Sequence, residues 1–166
     1  MTMQRYQLIA LGGAIAGAAI IAGSVATATA GSGFVPTSLA LGHFGTLNVK
    51  ADKTDKWDLY LKTKDSTDIG MDRLAVAPGG YSGWHTHAGP VFIIVKSGSV
   101  VRSVISDSGC AVTTYRAGQT FIEDANVVHT VANASNSDPA ELLAMQMRPE
   151  GSPGRIDAPA PVVSCP

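Results

Sequence analysis

Past residue 40 the apolar positions fall into short runs separated by turn residues, and most runs alternate with polar ones. Trp57, Leu59 and Leu61 stand on one parity of the run from Trp57 to Lys64, and Phe44 to Lys50 and Ile69 to Ala77 behave alike. Alternation of period two is the mark of a half-buried strand, since successive side chains point to opposite faces. Val91 to Val95 is continuously apolar, as expected of a strand covered on both faces. Further runs follow at Val100 to Ile105, Val112 to Tyr115, Thr120 to Ile122, Val127 to Ala132 and Leu142 to Met147. Between them stand the turn signals Pro78-Gly79-Gly80, Gly98 and Ser106-Asp107-Ser108-Gly109. No segment beyond residue 30 carries a helical period. Many short strands at this spacing predict an all-β sandwich or barrel. Leu143, Met145 and Met147 share one face of the last run and are expected to fill the core. The stretch from Gly31 to Leu41 is small and irregular and reads as a lead-in.

The first thirty residues follow a different pattern. Leu8 to Ala30 is uncharged and apolar or small, preceded by a short polar start with Arg5 as its charge and ending in Ala28-Thr29-Ala30. That order describes a secretory signal peptide. The expected division is a leader over 1–30 and one β-barrel domain over 31–166, with cleavage after Ala30 or after Ala28. A retained anchor is the competing reading, since about twenty apolar residues can span a bilayer. Membrane contact is expected only through this segment if it is kept. Otherwise the protein is secreted or held in the cell envelope. Net charge is −1, so no basic patch points to nucleic acid. The two cysteines, Cys110 and Cys165, are a disulfide candidate in an oxidising compartment. Their bond would clip down the tail from 149 to 166, whose five prolines make it extended.

Candidate chemistry lies in the histidines. His85 and His87 are two residues apart, so on a strand both imidazoles face one way. His129 lies among the β-branched residues Val127, Val128, Thr130 and Val131, and a neighbouring strand can bring it to the same point. Neutral imidazole nitrogens suit Zn, Fe, Cu, Ni and similar metals. An isolated pair of this kind is a weak signal.

The spacing around the histidines strengthens it. Gly79, His85, His87, Val91 and Gly98 stand at the intervals of G-x5-H-x-H-x3/4-E-x6-G. Gly118, Asp124, Asn126, His129 and Asn133 stand at those of G-x5-P-x-G-x2-H-x3-N. The region from 79 to 133 therefore resembles the cupin superfamily in both of its motifs. The resemblance implies a double-stranded β-helix, or jelly-roll, barrel. It implies a divalent transition metal (Fe, Mn, Zn, Cu or Ni) held by His85, His87 and His129. Asp124 and Asn126 replace the turn Pro and Gly, and Asn tolerates a positive φ.

Val91 occupies the position of the family's glutamate ligand. Three neutral imidazoles leave a dication its full charge, favour an anionic ligand and keep one more position open. Glu123, in the motif turn, reads as a solvated carboxylate, with a surrogate ligand or general base as the other reading. Tyr81, Trp84, Val91 and Glu123 are the substrate-pocket candidates, although rim packing explains Tyr81 and Trp84 equally well. Arg102 reads as an exposed strand arginine and His43 as a surface residue. The expected function is an exported, metal-binding barrel acting on a small, anionic molecule as an oxygenase, isomerase or lyase. The alternative is a non-catalytic small-molecule or metal-binding barrel, and either is compatible with a homodimer.

Overall fold

The computed structural model describes residues 28–165. The leader expected over 1–30 therefore lies, up to residue 27, outside the described residues. Twelve strands follow in chain order: β1 (Ser32–Phe44), β2 (Asn48–Lys50), β3 (Tyr60–Lys62), β4 (Thr67–Tyr81), β5 (His85–Thr86), β6 (Val91–Ser97), β7 (Ser99–Ser106), β8 (Gly109–Arg116), β9 (Thr120–Glu123), β10 (His129–Asn133), β11 (Ala140–Pro149) and β12 (Ile156–Asp157). There is no helix among the described residues, as the alternation predicts.

Ten strands form one nearly closed barrel-like sheet, and β2 and β3 form a separate two-stranded ribbon. One wall is β1-β4-β11-β6-β9, all neighbours antiparallel. The other is β12-β5-β10-β7-β8. Val76, Leu142, Val95, Val100, Phe121 and Val131 pack between the walls. Fully burying a side chain of this kind stabilises by about 1.5–3 kcal/mol. Asn133 locks one end, its buried amide donating to the carbonyls of Val76, Ala77 and Asp138 at 3.2, 3.0 and 2.8 Å.

Three expectations fail here. Gly31 to Leu41 is no irregular lead-in, because β1 pairs with β4 along nearly its whole length. Strand pairing to a fifteen-residue partner overrides the poor β propensity of its Gly, Pro and Ser residues. Trp57 and Leu59 do not face a core, being 60% and 43% exposed beside the ribbon. Leu143, Met145 and Met147 face outward, while Ala140, Leu142 and Ala144 are buried. A strand of period two has only two parities, and the apolar residues of β11 occupy both. The outward parity aligns Met71, Met145, Phe92 and Ile122 as successive cross-strand neighbours, and all four are exposed.

A tight turn and a disulfide shape the surroundings of the histidines. Asn126 has φ 61°, the left-handed conformation expected where the motif has Gly, and its N–H donates to His87 O at 2.9 Å. Cys110 and Cys165 form a disulfide with Cα atoms 5.3 Å apart. The tail thereby returns from β12, at one end of its wall, to β8 at the other.

Candidate metal centre

His85 lies on β5 and His129 opens β10, and the two are direct cross-strand partners. His87 follows β5 by one residue and keeps the parity of His85. The three rings pack with centroids 4.3, 4.9 and 5.1 Å apart. Glu123 ends β9 on the opposite wall. One ligand atom from each of His85, His87, Glu123 and His129 lies within 4.8 Å of all the others. All four residues are buried, at 5, 6, 4 and 0% exposure.

Each imidazole is held through Nδ1. His85 donates to Gly83 O at 2.9 Å, His87 to Gly154 O at 2.6 Å and His129 to Val127 O at 2.8 Å. A carbonyl only accepts, so Nδ1 carries the hydrogen and Nε2 of the neutral ring keeps its lone pair. His87 Nε2 and His129 Nε2 stand 3.1 and 3.2 Å from the two oxygens of Glu123. Both nitrogens are buried without a well-directed hydrogen bond. Lone pairs from rings and a carboxylate thus converge on one dry point, which is costly unless a cation occupies it. The donor set suits a divalent transition metal, with each ring oriented by a backbone carbonyl as metal-ligating histidines are.

Electrostatics agree. Burial lowers the pKa of His85 to about 3, with help from neighbouring His129, so the ring is neutral over the ordinary pH range. Burial opposes ionisation of Glu123, but His129 and His87, when protonated on the nitrogens that face it, outweigh burial and hold the carboxyl well below its usual range; a metal would take the place of those protons.

A family model of the cupin domain matches residues 73–146, which include every one of these ligand candidates. Residues 73–146 form a cupin domain. Similar solved structures include peruvianin-I, a cysteine peptidase from Thevetia peruviana latex, at 19% identity and TM-score 0.49, over 56% of this chain and 57% of that one. Oxalate decarboxylase of Lactobacillus farciminis, in a formate complex, matches at 19% identity and TM-score 0.47, over 54% and 26%. Oxalate oxidase with the substrate analogue glycolate matches at 22% and 0.46, over 53% and 45%. This cupin thus spans between about a quarter and somewhat over half of their lengths. No curated protein matches the chain.

The carboxylate of the cluster comes from β9 and not from the Val91 position on β6. Val91, on β6, stands directly opposite Glu123 on β9. Glu123 is therefore not the solvated turn residue expected from its polar neighbours. It is the last residue of a strand, on the inward parity of Phe121, and it brings back the negative charge that Val91 removed. A metal at this point would meet one compensating carboxylate, where the sequence led to the expectation of three histidines alone.

A cavity of about 520 Å³ opens beside the cluster, touching His85, His87, Glu123 and Val91. Tyr81 and Trp84 do not reach it. They line a second hollow with Thr29, Gly83 and Thr130, and Trp84 N–H donates to Thr29 Oγ1 at 2.8 Å. Arg102 faces inward, not outward. Its guanidinium lies 5.4 Å from the Phe121 ring centre, and its buried Nε has no partner. His43 is exposed, as expected, and pairs with Asp68 at 2.7 Å.

Sequence reasoning missed the residues that complete the cavity: Asp72, Gln146, Gly154, Arg155 and Asp157. Asp72 was within reach of it, because it shares a parity with Leu74 and Val76. Burial raises the pKa of Asp72. The other misses have no local signal. Gly154 acts through its carbonyl, and Arg155 and Asp157 come to the site only because β12 pairs with β5.

Proposed function

We propose that this cupin binds a divalent transition metal through His85, His87, His129 and Glu123, and that the metal acts on a small, anionic molecule entering the adjoining cavity. The convergence of two unpartnered imidazole nitrogens on one buried carboxylate carries this reading. A bound metal supplies Lewis acidity or oxygen activation, the chemistry of an oxygenase, isomerase or lyase. The histidines serve as ligands. Asp72 is the carboxyl group in the cavity, apart from the cluster, whose raised pKa suits it to exchange a proton, and Gln146 Nε2 holds it at 3.2 Å. A non-catalytic binding barrel is the second reading. It shares every metal ligand and differs in giving Asp72 no work.

The test is elemental analysis of untagged protein offered Fe, Mn, Zn, Cu and Ni, beside a His85→Ala/His129→Ala double variant. Near-stoichiometric metal in the wild type and its loss in the variant are expected. Less than about a tenth of an equivalent in the wild type would end the metal reading. Metal-dependent oxygen consumption or turnover that Asp72→Asn abolishes separates enzyme from binder.

Export follows from the leader pattern and is supported by the disulfide. Cleavage after Ala28 suits the barrel better than cleavage after Ala30, since Thr29 N–H donates to Ala158 O at 3.1 Å and its hydroxyl accepts from Trp84. The exposed row of Met71, Met145, Phe92 and Ile122 supports a homodimer packed face to face. Light scattering should give twice the chain mass, and the mass of a single chain for Phe92→Lys.

A further inference from the structure

We infer that the ligand of this cavity carries one anionic head group on an apolar body, and is not a compact diacid. This rests on the metal reading for the head group alone. Glu123 supplies the cluster's carboxylate from β9, and the Val91 side chain opposite it on β6 faces the cavity. From Val91 the wall continues through Ile93, Leu142, Leu74 and Phe34, without a polar side chain among them. A cavity of about 520 Å³ lies within the range of sites that enclose ligands well beyond two or three carbons.

The charges decide how many anionic groups it accepts. Besides the cluster, the lining has two carboxylates, Asp72 and Asp157, and one cation, Arg155. Arg155 Nε donates to Asp157 Oδ1 at 2.5 Å, so the one cation is paired with one of the two carboxylates and the charge left over outside the cluster is the negative one of Asp72. The other hydrogen-bonding side chains are also committed. Gln146 Nε2 donates to Asp72, and the Ser82 hydroxyl donates to Gly83 O at 2.9 Å and accepts from Val131 N–H at 2.9 Å. A first carboxylate, phenolate or thiolate finds the metal. A second anion finds apolar wall and a lining in which two carboxylates outnumber the single, already paired Arg155, and leaving an ion there without a full partner is costly. The substrate class is thus an amphipathic monoanion: a branched or straight-chain carboxylate, an aromatic acid, a phenol or a thiol.

Calorimetric titration of Zn(II)-loaded protein with propanoate, pentanoate, heptanoate and heptanedioate tests this. Each added methylene should tighten binding about 3–4-fold, the factor equivalent to ~0.8 kcal/mol, until the chain outgrows the cavity. Heptanedioate should bind at least about tenfold more weakly than heptanoate. Leu74→Ala should weaken heptanoate several-fold and leave propanoate unchanged. Affinity that is flat along the series, or a diacid as tight as the monoacid, overturns the inference. Metal-free protein keeps the two failures apart. If zinc is never taken up but the methylene dependence persists, the metal reading falls and the apolar-body inference stands. If zinc binds at the cluster and the dependence is absent, the reverse holds.

Discussion

Glu123→Gln should lower metal affinity by about 100-fold or more, and Val91→Glu placed in a Glu123→Val background should restore most of it. Changes to residues that merely orient metal ligands typically cost 10–100-fold, and a ligand that also supplies charge should exceed that. Glutamine keeps the shape and one oxygen, but removes the charge that faces His87 Nε2 and His129 Nε2 at 3.1 and 3.2 Å. The rescue follows from register. Val91 and Glu123 are directly opposed on antiparallel strands, so their Cβ atoms are about 4.5–5.5 Å apart and point the same way. A glutamate has enough reach to present its carboxylate to the same point from either strand. Titration with a chromophoric competitor for the metal measures both effects. Wild-type affinity in Glu123→Gln would show that three histidines suffice. Loss without recovery in the exchanged pair would show that the carboxylate must come from β9. The exchange should also reduce heptanoate binding, because a carboxylate introduced on β6 would return a charge to the apolar wall.

How the carboxylate escaped a reading of the chain is a matter of strand parity. His85 and His87 are legible because two residues of period two converge wherever the strand lies, and His129 is legible through its interval to Gly118. Glu123 has no such protection. Phe121 and Ile122 are adjacent apolar residues, and only pairing with β6 decides that Phe121, and with it Glu123, turns inward while Ile122 is left 48% exposed. The same ambiguity reverses β11, where Leu142 and Ala144 are buried although Leu143, Met145 and Met147 form the bulkier set. The all-β barrel and most of its strands follow from alternation and turn residues, which are local, while β1, β5 and β12 do not. The core face, β1 and the contribution of the tail depend on contacts far apart in sequence. Gly154, 67 residues from His87, is the extreme case.

That dependence gives the tail a measurable role. Removing the disulfide with Cys110→Ser/Cys165→Ser should reduce unfolding free energy by about 3–4 kcal/mol in urea, from loop entropy alone. It should also weaken metal binding by roughly tenfold, which loop entropy does not explain. The second effect comes from geometry. Asp157 pairs with His85 at one end of the wall, and Cys165 is fastened to β8 at the other. Cys165 is eight steps along the chain from Asp157, a reach of about 26–29 Å when extended. The strands between them span about 19 Å at ~4.8 Å each. The tail is therefore drawn across the wall with modest slack. Beyond the disulfide its anchors near the site are short contacts: the two pairs of β12, Ala158 N–H on Trp84 O at 3.0 Å, Thr29 N–H on Ala158 O at 3.1 Å, the Ala28–Pro159 bridge and Arg148 Nε on Ser152 O at 2.8 Å. Freed at Cys165, the segment exchanges between docked and open positions. Each opening takes the Gly154 carbonyl from His87 Nδ1, releases that ring to rotate and exposes the cavity wall formed by Arg155 and Asp157. Faster amide exchange at Ala158 together with weaker metal binding would tie the two effects to one motion. A drop in stability with metal affinity unchanged would show that β12 holds the carbonyl in place without the covalent clip.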